Sequence, residues 1–137
     1  MTMEILQPPG WSRPRGYSNG IAASGRMVFV SGMVGWNAEG EFETDDFVLQ
    51  VAQALRNVLA VLAEAGAGPA DIARMTWYVV DRDEYLQAAK RLGQAYREVM
   101  GDHFPAMTAV AVAALMPARA RVEIEVTAVV EPPSLAG

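Results

Sequence analysis

Two carboxylates alternate with apolar residues near the C-terminus, in Val122-Glu-Ile-Glu-Val126. That period of two is the period of a β-strand. Val122, Ile124, Val126 and Ala128 share one face, and Glu123, Glu125 and Thr127 share the other. The apolar face can be buried under helices. The opposite face then holds two acids beside Met107–Leu115, read as the adjoining strand across a turn at Pro117 and made almost wholly of Ala and Val. A carboxylate on a half-apolar sheet face is costly unless it meets water, a partner subunit or a ligand. This face is therefore the expected working face. Arg121, two residues before Glu123, offers the competing arrangement of a plain surface ion pair, and Glu125 reads as structural or interfacial.

The remaining chemistry is narrow. There is no cysteine, which excludes disulfides, thiolate catalysis and Cys-based metal sites. The single histidine, His103, precedes Phe104-Pro105 in a loop and reads as structural, so neither a metal nor a cofactor is expected. The net charge is −5, and the basic residues stand singly or in pairs. Such a chain offers no cluster to neutralise phosphates, so nucleic acid is not an expected partner. Charges interrupt the apolar stretches well short of the ~20 residues that a membrane span needs. The first nine residues lack a basic region followed by an apolar one, which leaves the cytoplasm as the expected location. A chain of 137 residues is expected to form one domain, 1–137, with a real core.

The elements that must position Glu123 follow from periodicity and punctuation. Residues 1–16 contain Pro8, Pro9, Gly10, Pro14 and Gly16 and read as an extended arm without regular structure. Tyr17–Ala23 and Met27–Val34 read as strands around a Ser24-Gly25-Arg26 turn. Thr44 is the expected cap of a first helix, with Asp45 and Asp46 in its first turn. Phe47, Val51, Leu55, Val58 and Leu62 form its stripe, and Gly66 its stop. Arg74–Val80 reads as a strand. Asp81 with Glu84 forms a capping-box start to a second helix that ends at Gly101. Residues 131–137 read as a loose tail. Two helices can cover only one face of a sheet of five or six strands. The other face is too apolar to stay bare, which predicts a homo-oligomer.

Six strings, in this order, resemble the RidA/YjgF family of reactive-intermediate deaminases, once labelled L-PSP endoribonucleases. They are Gly16-Tyr-Ser-Asn-Gly20, Phe29-Val-Ser-Gly32, Gln53-Ala-Leu-Arg-Asn57, Val61-Leu-Ala-Glu-Ala-Gly66, Phe104-Pro-Ala106 and Val122-Glu-Ile-Glu125. The resemblance implies a chorismate-mutase-like α+β fold, with a mixed β-sheet and two helices on one face. It also implies a homotrimer that binds its small-molecule substrate in clefts between subunits. Glu123 would hold the water that attacks an imine carbon, with Tyr17, Ser31 and Gly32 lining the cleft.

The chain also departs from the family pattern. Phe-Pro-Ala is followed by Met107 where the family's deaminases carry a carboxylate-clamping arginine, and Ser31-Gly32 is followed by Met33 instead of Gln. The family's helical asparagine is absent, with Ala89 or Lys90 nearby. A thioether cannot replace a bidentate guanidinium. Met107, Met33 and Trp36 would then form an apolar substrate wall, with Arg15 or Arg13 of the arm as a substitute cation. The expectation is an imine or enamine hydrolase weak or inactive on 2-iminobutanoate and 2-iminopropanoate. The alternative is a non-catalytic trimer that binds a small hydrophobic metabolite or a protein.

Overall fold

The computed structural model describes residues 3–131, so the tail from 132 onward lies outside the described residues. Strands β1 (Glu4–Leu6) and β2 (Gly20–Ala22) pair antiparallel as a small ribbon. They are followed by β3 (Arg26–Val34), α1 (Phe47–Glu64), a 3-10 turn (Pro69–Asp71) and β4 (Ile72–Val79). Then come α2 (Arg82–Gln87), α3 (Ala89–Met100), β5 (Ala106–Ala111) and β6 (Val122–Val130). The arm expected to lack regular structure thus contains β1. The single second helix divides at Ala88, giving three α-helices among the described residues.

The main sheet has the order β3-β6-β4-β5. This overturns the expectation of a terminal hairpin. β5 runs parallel to β4, with Met75 opposite Met107, because the helical α2–α3 connection returns the chain in the same direction. β6 then inserts between β3 and β4, antiparallel to both. The neighbours of Glu123 are therefore Val34 and Tyr78, not the Ala/Val strand. The ribbon joins the sheet's far edge where Ser18 bridges Ala106 and its N–H donates to the Pro105 carbonyl at 2.9 Å.

The core lies between one face of this sheet and the helices. Val51, Leu55, Val58 and Leu62 of α1 are fully buried against Ile72, Met75, Val122 and Ile124. By length and composition α1 could cross a membrane, but here its stripe is spent on the sheet. Its cap is Asp46, whose carboxylate accepts from the Leu49 N–H at 2.9 Å, while Thr44 instead caps the Asp46 N–H. Asp45 and Asp46 therefore precede the first turn. Gly66 (φ +70°) ends the helix as expected, with the Ala67 N–H donating to Leu62 O.

Gln50, invisible as a feature in the sequence, is fully buried on α1. Its amide donates to Thr44 O and Arg119 O, and its Oε1 accepts from the Arg121 N–H at 2.8 Å. Gly35 lies against it so closely that an added Cβ would meet the Gln50 backbone at 2.6 Å. One amide thus ties α1 to the loop that delivers β6.

The opposite face of the sheet has no helix over it. Met27 and Phe29 are 55% and 71% exposed there, so apolar surface is left uncovered.

Two outcomes follow from these contacts. Gln50→Leu keeps the volume but strands two carbonyls and an N–H; it is expected to cost about 2–4 kcal/mol in urea unfolding. The Asp46 carboxyl is held below its usual range by the Leu49 N–H and by Arg91. A depressed carboxyl stabilises above its unfolded pKa and loses that contribution as pH falls through the folded one. Asp46→Ala should therefore cost about 1 kcal/mol at neutral pH, and its deficit against the parent should vanish in acid.

Candidate functional site

Alternation along β6 sends Glu123 and Glu125 to the uncovered face, as the sequence predicts, but the two acids differ in their surroundings. Tyr78 on β4 donates its hydroxyl to Glu125 at 2.5 Å. That bond, followed by partial burial and the charges of Glu125 and Glu123, raises the Tyr78 pKa, so the phenol stays a donor. Glu123 has no hydrogen bond or ion pair among the described residues. The competing Arg121–Glu123 pair does not form, because Arg121 donates to Glu84 of α2 at 2.7 Å. That pairing raises the Arg121 pKa.

Glu123 is received by a β-bulge. The β3–β6 register passes from Val30–Val126 to Met33–Ile124, so Ser31 and Gly32 together oppose one residue of β6. A Cβ on Gly32 would meet Glu123 Cγ at 2.8 Å and its carboxylate closer still. Only glycine leaves room for the acid in this position. Ser31 also lines a depression of about 450 Å3 on this face, together with Phe29, Arg74, Thr76, Glu125 and Thr127.

Tyr17 and Met107 lie elsewhere, in a cavity of about 510 Å3 at the β5 edge on the helical side. The rings of Tyr17, Trp77, Tyr85, Tyr96 and Phe104 line it, with Ala89 and Gly93 on α3 and the two cations Arg15 and Arg97. Tyr96 stacks on Phe104 at 5.4 Å, and Tyr85 meets Trp77 edge-on at 6.3 Å. Burial pushes the Tyr85 and Tyr96 phenols up. Tyr96 donates to His103 O, whereas the hydroxyls of Tyr85 and Tyr17 have no partner among the described residues. The Trp77 indole N–H is buried without an acceptor among the described residues. His103 Nε2 meets Ile72 O at 2.7 Å, which makes it a donor and a structural tie.

The expected apolar wall is not assembled within one chain. Met107 lines the edge cavity, Met33 packs into the core, and Trp36 lies against Phe42 at 5.8 Å on the β3 side. Arg15 is at the cavity, whereas Arg13 is not among its lining residues. Glu123 and Met107 sit two strands apart and three residues out of register along β4, roughly 14 Å between backbones, on opposite faces of the sheet. The residues missed by sequence reading are Trp77, Tyr85, Tyr96 and Arg97. The spacing Ala89-Gly93-Arg97, four residues apart along one helix face, was the available signal.

The sequence profile of the family described as Endoribonuclease L-PSP matches residues 12–130. The chain belongs to this family, the RidA/YjgF group. A RutC family protein of Aquifex aeolicus (strain VF5) is 36% identical over 130 residues, covering 93% of this chain and 99% of the relative. The 2-iminobutanoate/2-iminopropanoate deaminase of Dermatophagoides farinae is 29% identical, covering 93% and 96%. Among solved structures, a Rid-family protein of unknown function from Yersinia pestis, YyfB, superimposes with a TM-score of 0.84 at 33% identity. It covers 95% of this chain and 100% of that one. The α+β fold of the family is thus the fold of this chain.

Because the Gly32 contact is with the outer atoms of a flexible type of side chain, Gly32→Ala should change the unfolding free energy in urea by no more than an ordinary surface substitution, about 0.5 kcal/mol. A crystal structure of the variant is expected to show Glu123 turned out of the bulge.

Proposed function

We propose that this RidA-family chain hydrolyses a reactive imine or enamine, with Glu123 as the group that positions and deprotonates water. The observation that carries this reading is the contrast between the two acids. Glu125 is occupied by Tyr78, while Glu123 has no partner among the described residues, is partly buried and is given room by Gly32. A carboxylate in that state can accept a proton from water as its oxygen attacks the C=N carbon. Returning that proton to nitrogen gives a carbinolamine, and passing its hydroxyl proton to nitrogen by the same carboxylate breaks the C–N bond, so that ammonia leaves and the carbonyl forms.

The cavity lined by Tyr17 and Met107 is the other half of the reading. It opens on the opposite side of the same sheet, so the two halves meet only across a contact between copies. The uncovered Met27 and Phe29 support such packing, with a homotrimer as the assembly proposed. Met107 removes the guanidinium that would clamp a 2-imino acid, and a lost hydrogen bond to a charged group of about 1.5–3 kcal/mol lowers affinity some ten- to a hundredfold. Activity on 2-iminobutanoate and 2-iminopropanoate is accordingly proposed to be weak or absent.

A second reading is favoured by the ring-lined cavity itself: a non-catalytic trimer that holds a small hydrophobic metabolite. The two are separated by trapping imines released by an amino-acid oxidase and measuring their clearance. Met107→Arg is expected to raise clearance by about tenfold or more, and adding Glu123→Gln should abolish the gain. A folded Met107→Arg protein that remains inert, or a parent chain that is monomeric by light scattering, would overturn the hydrolase reading. A co-purifying ligand indifferent to Glu123→Ala would establish the binder.

A further inference from the structure

The edge cavity has a definite charge character. Two guanidinium groups and no carboxylate line it, so whatever enters should be anionic. Its apolar wall consists mainly of aromatic rings, and about 510 Å3 is far more than a three- or four-carbon imino acid fills. Arg15 precedes Gly16 (φ +79°) on the exposed arm, whereas Arg97 is fixed on α3. The ion-paired arginines Arg91, Arg119 and Arg121 each have an acid of their own, but Arg97 has none among the described residues.

The way Arg97 reaches the cavity depends on its helix. Ala89, Gly93 and Arg97 succeed one another along one face. Gly93 has no side chain, and the Arg97 guanidinium lies 3.7–3.9 Å from where its Cβ would be. The arginine is thus folded back over small residues onto the cavity wall. A plain helix-end cation, complementing the C-terminal dipole in the last turn, is the simpler role for the same residue.

Resting on the reading of this cavity as the substrate site, we propose that Arg97 is its anion-binding residue, and that the ligand is a carboxylate with an aromatic body. The charge absent at Met107 on β5 is then supplied from a different element of the same cavity, α3. The size and ring lining of the cavity select against small aliphatic acids, which leave most of that space unfilled.

Equilibrium calorimetry with three stable probes tests this without turnover: phenylpyruvate, pyruvate, and the uncharged phenylacetone. Phenylpyruvate is expected to bind at least tenfold tighter than either of the others. Arg97→Gln should weaken phenylpyruvate by about ten- to a hundredfold and leave phenylacetone unchanged, with Arg97→Lys in between. Arg15→Gln should cost less than Arg97→Gln, and because calorimetry reads binding without turnover, the outcome is separate from that of the hydrolase reading. Unchanged phenylpyruvate affinity in a folded Arg97→Gln protein would reduce Arg97 to a helix-end charge. Equal binding of phenylacetone, or the reverse order of the two arginines, would likewise overturn the assignment.

Discussion

The placement of β6 between β3 and β4 is the constraint on which the rest of the structure depends. One side of that strand, Val122, Ile124, Val126 and Ala128, is buried under the helices, and the other carries the acids. A one-residue slip would exchange the faces, burying Glu123 and Glu125 beneath α1 and exposing four apolar residues. The cost of burying unpaired carboxylates therefore locks the register. Gln50 reinforces it from the helical side by holding the loop that enters β6.

Within that register the two acids acquire different roles through their cross-strand neighbours. Tyr78 stands opposite Glu123 in the ladder but donates to Glu125 on the same face. Arg121 is drawn off to Glu84. The bulge at Ser31-Gly32 then leaves a space into which the Glu123 side chain fits. An unpaired acid in a tailored space is the kind of group from which water chemistry is built, and it arises from neighbours that decline to pair with it.

The cavity at the other edge is lined largely by rings. Met107 offers no charged group at β5, and Trp77, Tyr85, Tyr96 and Phe104 supply apolar area. Area alone recognises poorly. The free cations at this cavity are what give it a preference of sign. The sheet separates this cavity from Glu123, and strand alternation makes the separation unavoidable within one copy.

Local pattern determined much of this protein. The α1 stripe, the Gly66 and Gly101 stops, the Asp81 cap and the alternation of Val122–Val130 are all readable, because each depends on neighbours within a few residues. The competition between Thr44 and Asp46 for the helix cap was decided by hydrogen bonds too close in energy for residue type to rank. Strand order lay beyond the sequence: β5 and β6 are successive, yet β4 lies between them, because the helical crossover directs β5 parallel to β4 and leaves the inner position for the later strand. Tertiary structure alone therefore decided that Tyr78 occupies Glu125, that Glu123 stays unpaired, and that Met33, Trp36 and Met107 part company. Each of these rests on contacts between residues distant along the chain, whose pairing no local periodicity records.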